Sequence, residues 1–247
     1  MFKSLFRLYK TGLFLILVGC SSADKIDANT AEGAYALAQR YEKDERFEEA
    51  ITYYAEVKNK FPYSRFAVDA ELKIADVEFQ RENYVEAEAA YKIFREFHPD
   101  HSRMDYVLFR LGMSVYHQLP PTIDRDLSLA ATSIDHFSTL VRIYPQSPHT
   151  PESLKQIDKV KKMLAEKAKY VADFYFIREK WESALGRYEE LLQNHSGFEA
   201  QALYGATLSA YNNKELDKAK KYFKRLLAEH PNSTELASAR KELADGF

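Results

Sequence analysis

Cysteine occurs once in the 247 residues, at Cys20, so the chain cannot form a disulfide with itself. Glycine is scarce too. Beyond residue 19 it is found only at Gly33, Gly112, Gly186, Gly197, Gly205 and Gly246, too scattered to build a loop that cradles a phosphate. HExxH, GxSxG and P-loop patterns are all missing. These absences leave no catalytic constellation, and the chain reads as having no enzymatic activity of its own, no metal site and no cofactor. Positive charge is not in excess, with a formal net charge of −2, so nucleic acid is not an expected partner. The apolar run Leu13–Val18 has six residues, against the ~20 that span a bilayer.

What the chain does have begins at its first residues. Lys3, Arg7 and Lys10 precede that apolar run, the order of an export signal. The run closes on Leu17-Val18-Gly19-Cys20, which resembles the lipobox of bacterial lipoproteins. The resemblance implies cleavage before Cys20 and a covalent lipid on its thiol. Residues 1–19 are then a signal peptide and residues 20–30 a lipidated cysteine with a polar tether. Each buried acyl methylene contributes ~0.8 kcal/mol, so several chains hold a protein at a membrane without a spanning helix. Ser21 and Ser22 stand where an aspartate would retain an enterobacterial lipoprotein in the inner membrane; the outer membrane is therefore expected, on its periplasmic face. Removing residues 1–19 takes the formal charge to −5.

The rest of the chain repeats. A small residue precedes a proline by twelve at Ala50/Pro62, Ala87/Pro99 and Ala219/Pro231, and the same ruler fits Ser133/Pro145 and Ala184/Ser196. An aromatic follows each small residue by four: Tyr54, Tyr91, Phe137, Tyr188 and Phe223. Three residues before it stand Phe47, Tyr84, Ala130, Trp181 and Leu216. Spacings of three and four put these side chains on one helical face, and the small residue lets a neighbouring helix approach. Phe61, His98, Tyr144, His195 and His230 end the units. That shared position makes the three histidines helix-end residues rather than ligands. A second amphipathic stretch lies upstream in each unit, as in Ala34, Leu37, Ala38 and Tyr41, or Leu108, Leu111, Gly112 and Val115. Two antiparallel helices per ~34 residues is the tetratricopeptide pattern. The third unit carries an insertion at 117–126, with Pro120 and Pro121. After Thr150-Pro151-Glu152, with threonine as the expected N-cap, no helix breaker appears until Lys180, which predicts a helix of about 28 residues, roughly 42 Å long. The expected fold is all-α: a tetratricopeptide superhelix of about five helix pairs, with a long helix linking two lobes, repeats 1–3 over 31–147 and repeats 4–5 with the long helix over 148–247.

Several tracts go further than the generic repeat: Phe61-Pro62-Tyr63, His98-Pro99 leading into Asp105-Tyr106-Val107, Arg110-Leu111-Gly112, Tyr144-Pro145-Gln146-Ser147, Val171-Ala172-Asp173-Phe174-Tyr175 and Arg187. With the lipobox and the third-unit insertion in order, nearly all of the mature chain resembles the BamD family, lipoprotein subunits of the outer-membrane β-barrel assembly machinery. The fourth unit departs from the pattern, ending in His195-Ser196 where a proline is expected.

In such arrays the first helix of each unit lines a concave groove. Its expected positions here include Tyr35, Leu72, Phe79, Tyr106, Phe109, Met113 and Tyr116, an apolar surface suited to an extended peptide, with the long helix and the insertion as the elements placed to cover part of it. Glu32, Asp69 and Asp76 also fall there, which argues against a basic clamp for acidic tails. The resemblance implies unfolded outer-membrane protein segments as the peptide, and the barrel subunit of the machinery as a partner of the carboxy-terminal lobe. That lobe offers Tyr175, Phe176, Arg178 and Arg187 on the matching tracts. The competing reading is a general periplasmic repeat-adaptor lipoprotein that recruits cell-envelope enzymes or division proteins. Replacing Cys20 by alanine is expected to abolish incorporation of labelled palmitate and to release the protein from membranes; unchanged labelling would refute lipid attachment at that residue.

Overall fold

A computed structural model describes residues 26–243; the signal peptide, Cys20 and the first part of the tether lie outside the described residues. The described residues form eleven helices and no strand: α1 Ala31–Lys43, α2 Phe47–Lys60, α3 Ala67–Gln80, α4 Tyr84–Phe97, α5 Met104–His117, α6 Ala130–Ile143, α7 Thr150–Ile177, α8 Trp181–Asn194, α9 Glu199–Asn212, α10 Leu216–Glu229 and α11 Thr234–Glu242. Each packs on its neighbours in the chain. Five antiparallel pairs result, α1/α2 to α9/α10, and α11 closes the last by burying Leu236, Ala239 and Leu243 against it.

The twelve-residue ruler reappears as helix length. The second helix of every pair has 14 residues, begins at Phe47, Tyr84, Ala130, Trp181 or Leu216, and is capped by Phe61, His98, Tyr144, His195 or His230. The small residues Ala50, Ala87, Ser133, Ala184 and Ala219 are fully buried. So are Tyr54, Tyr91 and Phe137, with Tyr188 nearly so. In the fifth unit the buried aromatic is Tyr222, one position before the expected Phe223, which is only partly buried. The absent proline of the fourth unit also shows: His195 leaves α8 with ψ 154°, whereas His98 and His230 turn at ψ 54° and 57°.

Where neighbouring helices meet closely, within the third pair and between the fourth and fifth, glycine is required. A Cβ on Gly112 would lie 2.6 Å from the Phe137 ring, and one on Gly205 2.2 Å from the Tyr188 ring. The turns inside the pairs have a different backbone demand. Glu45, Glu82, Glu179 and Lys214 adopt φ of 57–64°, and the residue after each donates its amide to a carbonyl five back, as Arg46 does to Tyr41. This is the Schellman ending, usually built on glycine. The third pair has instead the insertion, 118–129.

The long helix has the expected 28 residues, although Thr150 does not cap it. His149 is the N-cap residue, and the Thr150 hydroxyl donates to the Tyr144 carbonyl at 2.9 Å. The amino-terminal half of α7 packs on α6 and the insertion through Val160, Met163 and Leu164. Its carboxy-terminal half supplies Ala168, Ala172, Tyr175 and Phe176 to the core of the last two pairs.

Two expectations test these contacts. Gly205→Ala destabilises by ~1–3 kcal/mol because the Tyr188 ring has nowhere to go. Gly186→Ala, in mid-α8 with open space around it, stabilises by ~0.5–1 kcal/mol; urea midpoints of opposite sign check the pair. His136 is buried with neither ring nitrogen partnered, and burial, then Arg95 and Lys92, pushes its pKa below the ordinary value. Above about pH 6.5 it is neutral folded and unfolded and contributes nothing to the pH dependence. As pH falls below that value, the unfolded chain gains the proton first and stability drops. His136→Leu therefore flattens the decline in melting temperature between pH 7.5 and 5; a decline parallel to the parent's would count against it.

Candidate functional site

Burial divides the groove residues. Leu72 is 1% exposed, packed with Tyr91, Phe94 and Leu111 between α3, α4 and α5. It belongs to the core and cannot line a groove, which corrects the expectation from helix position. Tyr35 is half-buried in the first unit, stacked on Phe66 at 5.2 Å and edge-on to Tyr54 at 5.4 Å. The other five, Phe79 of α3 with Tyr106, Phe109, Met113 and Tyr116 of α5, are all half-buried.

Two groups that were not singled out for a role organise this surface. Asp76 is 5% exposed and accepts the hydroxyl protons of Tyr91 at 2.6 Å and Tyr106 at 2.7 Å, tying α3 to α4 and α5. Burial and the Asp76 charge push the Tyr106 hydroxyl up to about 12, so it remains a donor. Arg110 lies with its guanidinium 3.8 Å from the Phe79 centroid and 5.5 Å from that of Tyr106, its Nε donating to the Tyr91 hydroxyl at 3.3 Å. Asp76 had read only as an acidic groove position and Arg110 only as part of a family tract. Asp76 meets its tyrosines on α4 and α5, and Arg110 reaches Phe79 on α3 and Tyr91 on α4, pairings that no single-helix pattern reveals.

The long helix covers one end of the row. His149 stacks on Phe109 at 4.9 Å. Tyr116 packs against Leu127, Ala130 and Val160, with the Lys159 ammonium 4.8 Å from its ring. Between α5, the insertion and α7 a cavity of about 430 Å³ remains, lined by Tyr116, Leu119, Pro120, Pro121, Ile123 and Met163 among others.

The carboxy-terminal residues do not form one cluster. Tyr175 and Arg187 line a shallow cavity of about 280 Å³ with Glu182, Ser183, Gly186 and Glu190. Arg187 donates to Glu190 at 2.7 Å, an exposed pair worth only ~0–1 kcal/mol and so cheaply exchanged for a partner's carboxylate. Arg178 lies 3.6 Å over the Phe174 ring. Phe176 is partly buried and points elsewhere, edge-on to Trp181 at 5.4 Å and Tyr188 at 6.0 Å against the core of the last two pairs, so it does not share the depression of Tyr175 and Arg187. The residues overlooked are Tyr170, Phe174 and Ile177, 49%, 40% and 76% exposed. Their spacing of four and three makes a second apolar stripe on α7, a signal that a helix with one buried face does not need.

Comparison with known proteins adds the family. A tetratricopeptide repeat model matches residues 201–233. The chain is 26% identical over 227 residues to the outer membrane protein assembly factor BamD of Vibrio cholerae, covering 87% of this chain and 94% of that one. It is likewise 26% identical to BamD of Rickettsia prowazekii, covering 89% and 88%. The model of the YfiO family, described as outer membrane lipoprotein, matches residues 27–202, most of the described structure. The chain belongs to the YfiO family of outer membrane lipoproteins.

Proposed function

We propose that this protein is an outer membrane protein assembly factor, acting as a scaffold rather than by chemistry. A lipid on Cys20 holds it at the periplasmic face of the outer membrane. Its first three units hold unfolded segments of outer-membrane proteins, and the long helix with the last two units holds the barrel subunit of the assembly machinery. The name carried by its BamD relatives supports the process. The observation that carries the division of labour is the separation of two aromatic surfaces along one helix. One is the half-buried α3–α5 row, ending beneath the start of α7. The other is the exposed Tyr170, Phe174 and Ile177 stripe near its end, beside Arg178 and the Tyr175–Arg187 depression.

Aromatic and arginine side chains with both a packed base and an exposed edge are the composition of binding hot spots. A half-buried row suits alternate side chains of an extended strand, whose backbone remains free for later sheet pairing. The separation leads to opposite expectations for two variants. Phe109→Ala with Met113→Ala weakens cross-linking to unfolded outer-membrane protein segments and leaves co-purification of the barrel subunit intact. Arg187→Glu does the reverse, because a reversed charge in a desolvated contact is repelled. If both folded variants lose both partners equally, a single continuous surface replaces the two-surface reading.

A further inference from the structure

The second helices of the five pairs share one length but not one charge. α2 and α4 each carry a formal −1, α6 carries none and α8 carries −2. α10 carries +3, from Lys218, Lys220, Lys221, Lys224 and Arg225 against Asp217 and Glu229. This concentration of positive charge sits in a chain whose formal charge beyond residue 19 is −5. α10 is also the most strongly amphipathic of the five second helices. Ala219, Tyr222 and Leu226 face the core. The opposite side is open to solvent, because α10 packs on α9 and, to a lesser extent, on α11, and no further repeat follows.

Ion pairing accounts for two of the five cations. Lys218 pairs with Glu215 at 2.7 Å and Arg225 with Glu229 at 2.8 Å. No carboxylate among the described residues forms an ion pair with Lys220, Lys221 or Lys224, and that includes Asp217 of the same helix. Spacings of four, four and three put Leu216, Lys220, Lys224 and Leu227 in one exposed row, with Lys221 beside it. The two leucines are 47% and 41% exposed. Interfaces between proteins are enriched in aromatic residues and arginine and depleted in lysine. That is the composition of the Tyr170, Phe174 and Ile177 stripe with Arg178, and not of this row. Unpaired lysines bracketed by leucines match a lipid surface instead, where ammonium groups reach phosphates while their stems and the leucines lie against the interface.

Resting on the lipid-anchored reading above, we propose that α10 is a second membrane contact, with Lys220, Lys221 and Lys224 meeting the headgroups of anionic phospholipids and Leu216 and Leu227 entering the interface. The helices pack in chain order, so α1, which follows the tether, and α10 stand at opposite ends of the array. The acyl chains hold one end and the lysines the other, and the array lies along the bilayer rather than swinging from its tether. Once the lipid is inserted the second contact is intramolecular, so a patch too weak to bind a vesicle alone is sufficient. Each lysine near an anionic surface strengthens the contact by a factor of about five.

Cys20 is the chain's one cysteine, so once it is acylated Ala228→Cys, exposed beside Leu227, takes a fluorophore at a single place. The full lipoprotein is reconstituted into vesicles of brominated phosphatidylcholine, either alone or with one third phosphatidylglycerol. Flotation reads the anchor, and quenching by the brominated chains reads the contact of α10. Quenching is expected in the anionic vesicles alone, and it disappears in about 1 M salt, where the Debye length is about 3 Å. Lys220→Gln, Lys221→Gln and Lys224→Gln each weaken the contact about fivefold, and together about a hundredfold. A probe at Ala89→Cys, exposed on α4, stays unquenched. Protein that floats with both vesicles but is not quenched at position 228, or is quenched regardless of phosphatidylglycerol or of the three lysines, overturns the second contact and leaves the anchor standing. Protein that floats with neither overturns both. If the triple variant keeps its quenching and loses co-purification of the barrel subunit, the row belongs to an acidic protein face and the membrane contact is refuted.

Discussion

A tyrosine buried between two helices must satisfy its hydroxyl there, since leaving it unpaired costs ~1–3 kcal/mol. This chain meets the demand in the same way in four of its five pairs. Tyr54 donates to Glu42, Tyr91 to Asp76, Tyr188 to Asp173 and Tyr222 to Glu189, at 2.6–2.8 Å. In the first, second and fourth pairs the carboxylate belongs to the partner helix of the same unit, so the bond sets both the separation and the axial register of the pair. Burial raises all four hydroxyl pKa values. They stay protonated donors at neutral pH, and the pairing holds there.

The third pair solves the problem by omission. Phe137 has no hydroxyl to satisfy and lies directly on Gly112, and Ser133 donates to the Gly112 carbonyl at 3.2 Å. This unit also replaces the tight left-handed turn of the others with the twelve-residue connection 118–129. A pair joined by a longer loop is freed from the register that a Schellman turn imposes, and the insertion is able to reach α7.

The long helix follows from the same packing. Its first half serves as the neighbour of α6 and its second half as the partner of α8, each with its own small cluster of buried residues. Because both halves belong to one continuous helix, the half-buried row on α5 and the exposed stripe ending at Ile177 are held on a single rod. Coupling between the two surfaces, where it occurs, must pass along α7 or through α6.

The repeat ruler, the 14-residue second helices, the position of the insertion and the 28-residue length of α7 were all legible in the chain. They depend on local chemistry: spacings of three and four, small residues at contacts, and breakers or their absence. Membership of the lipoprotein family was legible too, through tracts kept in order. Tertiary structure decided which face of each first helix stays open. Leu72 and Phe79 are both apolar groove positions by helical register, yet α4 and α5 bury the first and leave half of the second. Phe176 and Phe174 differ by degree, one partly buried against Trp181 and Tyr188 and the other exposed beside Arg178. Periodicity gives the angle of a side chain around its own helix. Whether that angle meets solvent or a neighbour depends on helices far away in sequence, and only the packed array determines it.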